Sequence, residues 1–255
     1  MPPDFAGGPA ISAHRGGSER AAPGTYEAYQ AALAAGADYV ELDVRQTTDG
    51  VLVSCHRERL RHGVPVTALS YARLCQLARY RVPRLDESLR LLAGRAGAHL
   101  DLKEAACAAA AVDEALGVLP PAQILVTTRD EAVAAAVKAS FPAVPVGVTV
   151  GGDVAEAVRF AGRRVREPRL SRLAPVVAAG ARWAVLHHRL ARGGILAECR
   201  PLGLAVMVWT VNGHRGLARW LAAPGVAAVV TDRPARAAGV RALSAGRREP
   251  PATVR

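Results

Sequence analysis

The feature that most constrains the fold is a succession of short apolar segments, most of them followed by a helical pattern. Residues 124–127, for example, precede a helix predicted from about 130 to 140, and residues 204–211 precede one predicted over 215–222. Apart from a returning hairpin arm at 51–56, predicted strands begin near residues 10, 39, 98, 123, 145, 183, 204 and 226. Eight such units predict an α/β fold, the (β/α)₈ TIM barrel, whose active site lies at the carboxyl ends of its strands.

The chain is long enough for one such barrel. Its 255 residues are 51% hydrophobic, which suits a single large core. We expect a loose arm over 1–9, one barrel domain over 10–240 and a polar tail over 241–255. No apolar run approaches the roughly 18 residues of a membrane span. The first residues also lack the basic and then apolar pattern of a secretory signal, so we expect a cytoplasmic location.

The charge of the chain favours a small anionic ligand. The formal net charge is +11, and Lys103 and Lys138 are the only lysines among 33 basic residues. The arginines are scattered rather than interleaved with aromatic residues, which make up only 4% of the chain, so we do not expect nucleic-acid binding. The four cysteines form no Cys-x-x-Cys pair and are expected to be reduced and mostly buried, Cys55 in the core.

Residues 39–56 predict a hairpin that carries two acids and a histidine. Side chains alternate along a strand, so Glu41 and Asp43 share one face. The sequence Thr-Asp-Gly at 48–50 is a hairpin turn signal. With residues 48 and 49 as the loop, His56 lies opposite Glu41; with 49 and 50, it lies opposite Asp43. Either register places His56 on the carboxylate face, and the alternative is an exposed polar face without a function.

Three other predicted strands also end in polar or aromatic side chains. His14 and Arg15 follow the first strand, Asp101 and Lys103 share one face of the strand at 99–103, and Trp209 ends the strand at 204–211. Scattered surface residues would not gather at one rim of a barrel. The pattern therefore predicts a site, although an ion-paired edge strand is the alternative for 99–103.

The residue types at this rim suit metal-assisted phosphoryl chemistry. Three carboxylates offer the oxygen ligands that Mg²⁺ or Ca²⁺ prefers. Arg15 and Lys103 could hold non-bridging phosphate oxygens, and His14 and His56 are candidates for the general base and acid. A histidine could instead be a metal ligand. Trp209 could pack on the organic part of the substrate or simply fill the core.

Taken together, these motifs resemble the glycerophosphodiester phosphodiesterase family. They occur in the family's order over nearly the whole chain: Ala-His-Arg-Gly at 13–16, Gly-Ala-Asp-Tyr-Val-Glu-Leu-Asp-Val at 36–44, Thr-Asp-Gly at 48–50, His56, Val-Pro-Arg-Leu-Asp-Glu at 82–87, Asp-Leu-Lys at 101–103, Val-Trp-Thr-Val-Asn at 208–212 and Thr-Asp-Arg-Pro at 231–234. The resemblance implies a barrel that uses a divalent cation to hydrolyse glycerophosphodiesters to sn-glycerol 3-phosphate and an alcohol. It also implies that His14 and His56 are the catalytic pair and that Glu41, Asp43 and Asp101 hold the metal.

Several positions depart from the family pattern. Arg57 replaces the usual Asp, Asp101 replaces the usual Glu, and residues 22–25 have lost a Glu and an Asn. The insertion after His56 is reduced. A lysophospholipase D-like enzyme and an impaired barrel that binds phosphorylated ligands are therefore alternatives. The alcohol group, the preferred metal and the oligomeric state stay open, and we expect packing or rim roles for His187 and His188.

Overall fold

Eight parallel strands form a closed barrel in the computed structural model, which describes residues 8–60, 63–151 and 173–246. Closure is direct, because the first strand pairs with both the second and the last. A ninth strand pairs antiparallel with the second, outside the barrel. The predicted fold is confirmed. The strands are β1 Ala10–Ala13, β2 Tyr39–Gln46, β3 Leu52–Ser54, β4 Gly97–Leu102, β5 Ile124–Thr128, β6 Val146–Val150, β7 Trp183–His187, β8 Ala205–Trp209 and β9 Val226–Thr231.

Helices connect most of these strands. Those that begin on a polar cap do so as their sequences predict: the Thr25 side chain accepts from the Ala28 N–H before the first helix, and Asp130 accepts from Ala132 and Val133. A π-helical stretch, Ala191–Ile195, interrupts the single helix predicted at 191–200. The helices are α1 Tyr26–Ala34, α2 Tyr71–Ala78, α3 Leu85–Leu92, α4 Ala108–Leu116, α5 Glu131–Ser140, α6 Ala174–Ala178, α7 His188–Leu190, α8 Leu196–Cys199, α9 His214–Leu221 and α10 Pro234–Gly246.

Apolar side chains fill the barrel below its carboxyl-end rim. Strand residues on the outer face pack against the helices, whereas a second cluster occupies the inside. Alternation along each strand produces both layers, because every second residue points inward. The inner cluster closes the barrel beneath the polar residues of the rim, and it consists of Ala10, Tyr39, Leu125, Trp183, Val185, Ala205, Met207, Ala228 and Val230.

The hairpin register differs from both predicted registers. Val44 lies opposite Ser54, and Thr47 bonds with Val51 across a loop of three residues, 48–50, rather than two. Gly50 has a positive φ of 80°, a backbone conformation that glycine adopts readily, and this allows the longer loop. Strict alternation from this register would turn His56 away from the acids.

The position of His56 depends instead on where the strand stops. β3 ends at Ser54, and the chain then leaves the ladder after the Cys55 N–H donates to the Asp43 carbonyl. Cys55 is buried with Val53 in a satellite cluster under the connection to α2, as expected of a core cysteine. All four cysteines are free. The irregular exit from β3 brings the His56 imidazole back toward Asp43.

The ends of the predicted domain are described only in part. Helix α10 continues to Gly246, so the chain is still helical beyond the boundary predicted at 240. The remaining tail, most of the predicted arm, and the helical and irregular segments predicted at 154–172 lie outside the described residues. Within the described ranges, no helix is both long and apolar enough to cross a membrane.

Candidate active site

A single cavity at the carboxyl ends of the barrel strands brings most of the predicted site residues together. It is lined by His14, Glu41, His56, Asp101, Lys103 and Trp209. Asp43 lies beside it, almost fully buried, and contacts two of the lining side chains. Arg15 is not among the lining residues. The strand-end argument from the sequence thus leads to one place in the molecule.

His14 is held by acids on both of its ring nitrogens. Nδ1 donates to Asp232 Oδ1 at 2.6 Å, and Nε2 lies 3.8 Å from Glu41 Oε2. Asn212 fixes Asp232 by donating to its Oδ2 at 2.6 Å and accepting from its backbone N–H. Burial alone would lower the pKa of His14, but Glu41 and the bond to Asp232 together raise it above its usual 6.5.

Arg15 contributes its backbone to this arrangement. Its φ of 52° is left-handed, and its N–H donates to Glu41 Oε2 at 2.8 Å. Gly16 follows with a φ of 79°, and a Cβ there would lie 2.7 Å from the Ala28 carbonyl carbon. The loop therefore needs glycine at 16. The Nε of Arg15 is buried and has no hydrogen-bond partner among the described residues.

Three carboxylates form a candidate metal centre. One oxygen from each of Glu41, Asp43 and Asp101 lies within 4.8 Å of the others. The Lys103 ammonium contacts both aspartates, with Nζ 2.7 Å from Asp43 Oδ1. Three negative charges against one ammonium leave a surplus of oxygen donors and of negative charge. This donor set suits a hard divalent cation.

The pKa values of two of these acids are shifted in opposite directions. Burial, reinforced by Asp43 and Asp101, raises the pKa of Glu41 to about 7 despite the opposing charges of His14 and Lys103. Burial acts in the same direction on Asp43, but its bond to His56 and the charge of Lys103 outweigh it and hold its pKa well below the usual range. The charges of Asp101 and Asp43 raise the pKa of Lys103, although burial of the ammonium acts in the opposite direction.

A hydrogen-bonded chain positions Asp101 from beneath. Thr127 Oγ1 donates to Asp101 Oδ1 at 3.2 Å, so it must accept from His99 Nε2 at 2.8 Å. His99 Nδ1 is then the acceptor for the Ser12 hydroxyl at 2.9 Å. Burial lowers the pKa of His99 to about 4, which matches this neutral ring. β4 lies between β2 and β5, so the edge-strand alternative for Asp101 and Lys103 is wrong.

His56 is the exposed member of the site. Its side chain is 51% exposed, compared with 19% for His14. Among the described residues a single contact orients it, with Nδ1 3.2 Å from Asp43 Oδ1. Because a carboxylate only accepts hydrogen bonds, Nδ1 is the donor, and no described residue contacts Nε2.

Trp209 lines the opposite side of the cavity and is partly buried. Its ring packs edge-on against His187, with centroids 5.2 Å apart. His187 in turn packs against His188, and burial lowers its pKa to about 4, an effect that the neighbouring His188 adds to. These contacts are compatible with the packing or rim roles expected for the two histidines.

Comparison with known proteins identifies the family to which this chain belongs. Residues 14–144 match the model of the glycerophosphoryl diester phosphodiesterase family, which is about half of the chain. The chain belongs to this family. It is similar to the glycerophosphodiester phosphodiesterase GDPD4 of Arabidopsis thaliana, at 26% identity over 91% of this chain and 73% of the relative. Membership makes it a phosphoric diester hydrolase.

Solved structures in the family share the architecture. A glycerophosphodiester phosphodiesterase from Agrobacterium tumefaciens is 28% identical with a TM-score of 0.67, covering 90% of this chain and 99% of that one. A phosphodiesterase from Oleispira antarctica in complex with the product sn-glycerol-3-phosphate is 22% identical with a TM-score of 0.73, covering 91% and 96%. At these sequence identities, the structural similarity supports mainly the shared fold.

The departures from the family pattern occupy different places. Asp101 lines the cavity, whereas the exposed Arg57 does not. Gly24 has a φ of 76°, and its N–H donates to the Arg15 carbonyl, so the altered segment at 22–25 still supports the site loop. The connection after His56, where the resemblance implies a reduced insertion, contributes Val66, Leu69, Leu74 and Val82 to the satellite cluster.

Sequence reasoning missed the residues that orient the predicted ones. Asp232 and Asn212 belong to motifs that carried the resemblance but received no role, and Ser12, His99 and Thr127 looked like ordinary strand residues. Arg45 was counted among the scattered arginines, yet it is buried and bonds Glu104 at 2.6 Å. The available signal was their inward position next to strand ends.

Proposed function

We propose that the chain is a metal-dependent glycerophosphodiester phosphodiesterase that releases sn-glycerol 3-phosphate and an alcohol by histidine acid–base catalysis. The observation that carries the proposal is the convergence of three carboxylates, two histidines and a lysine on one cavity. The product named in the Oleispira antarctica structure supports the choice of substrate class.

Glu41, Asp43 and Asp101 are the proposed ligands of Mg²⁺ or Ca²⁺. When bound, the cation would polarise a phosphoryl oxygen and neutralise part of its charge. Lys103 contacts two of the three ligands, so its ammonium is placed to bind a non-bridging oxygen next to them. Arg15 follows β1 beside His14 and is proposed to bind a second non-bridging oxygen with its guanidinium, whose Nε has no hydrogen-bond partner among the described residues.

His14 and His56 are the proposed acid–base pair. Two acids contact the His14 ring and raise its pKa, which favours the protonated form, so we assign it the proton that the departing alkoxide takes up. His56 lines the cavity and is half-exposed, and its Nε2 has no partner among the described residues, so we assign it the proton removed from the attacking water or glycerol hydroxyl. Trp209 is proposed to pack on the organic part of the substrate.

The test measures whether turnover needs a metal ion and whether each histidine variant depends on the leaving group of the substrate. Release of glycerol 3-phosphate is measured across several glycerophosphodiesters and lysolipids with and without EDTA. His14→Ala and His56→Ala are then compared on an ordinary alcohol ester and on a glycerophospho-p-nitrophenyl ester, whose leaving group needs no protonation. We expect EDTA to abolish turnover and the activated ester to restore activity to the His14 variant alone.

Absence of metal-dependent turnover of every substrate would overturn the enzyme function and favour the impaired barrel. Turnover of lysolipids only would favour the lysophospholipase D-like alternative. Equal recovery of both variants on the activated ester would overturn the assignment of acid and base.

A further inference from the structure

One row of polar side chains lies above the carboxylates, nearer to the cavity mouth. Asp101 pairs with Thr127 between β4 and β5, and Thr127 pairs with Gly147 between β5 and β6. Each strand advances about 3.3 Å per residue, so positions two residues further on lie roughly 6.6 Å closer to the mouth. These neighbouring positions are occupied by Lys103, Arg129 and Thr149, and all three line the cavity. We call them the upper row.

The two cations of the upper row are in different situations. Lys103 is held by Asp43 and Asp101, which compensate its charge. Arg129 is exposed, and it forms no hydrogen bond or ion pair with any residue that the structure describes. Its guanidinium at the cavity therefore has five donor N–H groups and a positive charge that no described residue pairs with.

The opposite side of the cavity carries no cation among the lining residues that the structure describes. It is formed by Val185, Trp209, Thr210 and Val230, and the two valines are almost fully buried. The hydroxyl of Thr210 and the unpartnered indole Nε1 of Trp209 are neutral donors. A substrate bound at the carboxylates thus meets a cationic side and an uncharged side as it extends toward solvent. Arg129 lies one layer above the proposed metal ligands, at the level where the part of a substrate that extends toward the mouth would pass.

We propose that Arg129 selects substrates whose alcohol portion carries an anionic group, a carboxylate or a second phosphate. A planar guanidinium binds such a group through two parallel hydrogen bonds. Thr149, the next position in the upper row, adds a hydroxyl donor. This inference rests on the proposed function, since it concerns the same cavity.

Two probes differ by one carboxylate: glycerophosphoserine and glycerophosphoethanolamine. We expect the wild type to have the higher kcat/KM on glycerophosphoserine. Arg129→Gln should lower that value roughly tenfold to a hundredfold and change the value for glycerophosphoethanolamine less than twofold, because only the former loses a charged hydrogen bond. Arg129→Lys keeps the charge and should lose less on glycerophosphoserine.

Arg182→Gln is the matched control. Arg182 is an exposed arginine immediately before β7, at the amino end of the barrel, and its loss changes the net charge equally. It should leave both substrates unaffected. An equal loss on both substrates in Arg129→Gln would mean that Arg129 serves the scissile phosphate, and no loss on either would mean that it does not touch the substrate; each result overturns the proposal.

Calorimetric binding of the same two probes separates this inference from the proposed function. If no glycerophosphodiester is hydrolysed, tighter binding of glycerophosphoserine that Arg129→Gln abolishes would retain the role of Arg129 while the catalytic proposal fails. Equal binding of both probes by the wild type would overturn the inference whether or not the chain is active.

Discussion

The cavity contains two pairs of a histidine and an acid, and the pairs are built in opposite ways. His14 and Glu41 are mostly buried, and His14 is fixed by a second acid, Asp232. His56 is half-exposed, and Asp43 is the one partner that orients it within the part of the chain that the structure describes. The same two residue types therefore give one rigid, shielded pair and one open pair at the mouth.

The surroundings of the acids explain their different behaviour. Glu41 is buried and faces two other carboxylates, which favours its protonated form, and His14 and Lys103 oppose this only in part. Asp43 is also buried, but it touches both His56 and the Lys103 ammonium, which favours its charged form. Burial raises the pKa of both carboxyls, so the opposite directions of their shifts follow from their different neighbours.

The largest effects should come from removing the histidines. His14→Ala and His56→Ala should each lower kcat about 10²- to 10⁴-fold, the usual contribution of general acid–base catalysis. Because only His56 is open to solvent, added imidazole should restore part of the activity of His56→Ala and none of that of His14→Ala. Rates at increasing imidazole concentration measure this. Equal rescue of both variants would contradict the difference in solvent exposure between His14 and His56.

Asp232→Asn tests how rigidly the shielded pair is held. The change keeps the shape of the side chain but removes a charge that raises the pKa of His14, so that pKa should fall. His14 would then lose its proton at a lower pH, and the alkaline limb of the pH–rate profile should move down. We expect a loss of about 10- to 100-fold in kcat/KM at neutral pH. An unchanged profile with a simple loss of rate would indicate a merely structural role.

The affinity for a divalent cation should depend on the protonation of Glu41. Its pKa of about 7 means that it is mostly ionised at pH 8 and mostly protonated at pH 6. A metal ligand must be deprotonated, so the Kd for Ca²⁺ should rise about tenfold from pH 8 to pH 6. Calorimetric titration measures this. In Glu41→Gln the remaining affinity should be nearly independent of pH over this range, because the pKa of Asp43 lies far below it.

Thr127→Val should give the smallest effect. It removes the hydroxyl that connects His99 to Asp101 and leaves the two histidine pairs in place. We expect about a threefold fall in kcat/KM with weaker metal affinity, as for a single hydrogen bond. Thr128→Val, at the neighbouring position, serves as the control, because its hydroxyl bonds the Asp130 N–H instead.

The barrel could be predicted because each strand carries its own apolar run and turn. The candidate site could be predicted only where polar side chains alternate along a strand or follow its end, as with Glu41 in β2 and Lys103 directly after β4. Asp232 is 218 residues away from His14, and the two meet only because β9 closes onto β1. Closure of the barrel brings such distant residues together, and no local sequence pattern predicts these contacts.

The hairpin shows a second reason why part of the site could not be predicted from the sequence. Two registers could be derived from the turn signal at 48–50, and both were wrong by one residue, since the loop holds three residues. His56 reaches Asp43 because β3 stops at Ser54, and alternation does not continue past the end of a strand. Local periodicity predicts faces within an element, but it does not predict the path of the chain after it.

The bond from Arg15 to Glu41 has a consequence for mutational screens. Its donor is a main-chain N–H, which every residue except proline retains, so alanine scanning will detect the guanidinium and miss this contact. Replacing the amide by an ester at position 15 would remove the donor while sparing the side chain. Tolerance of substitution at such a position therefore says little about how much the site depends on it.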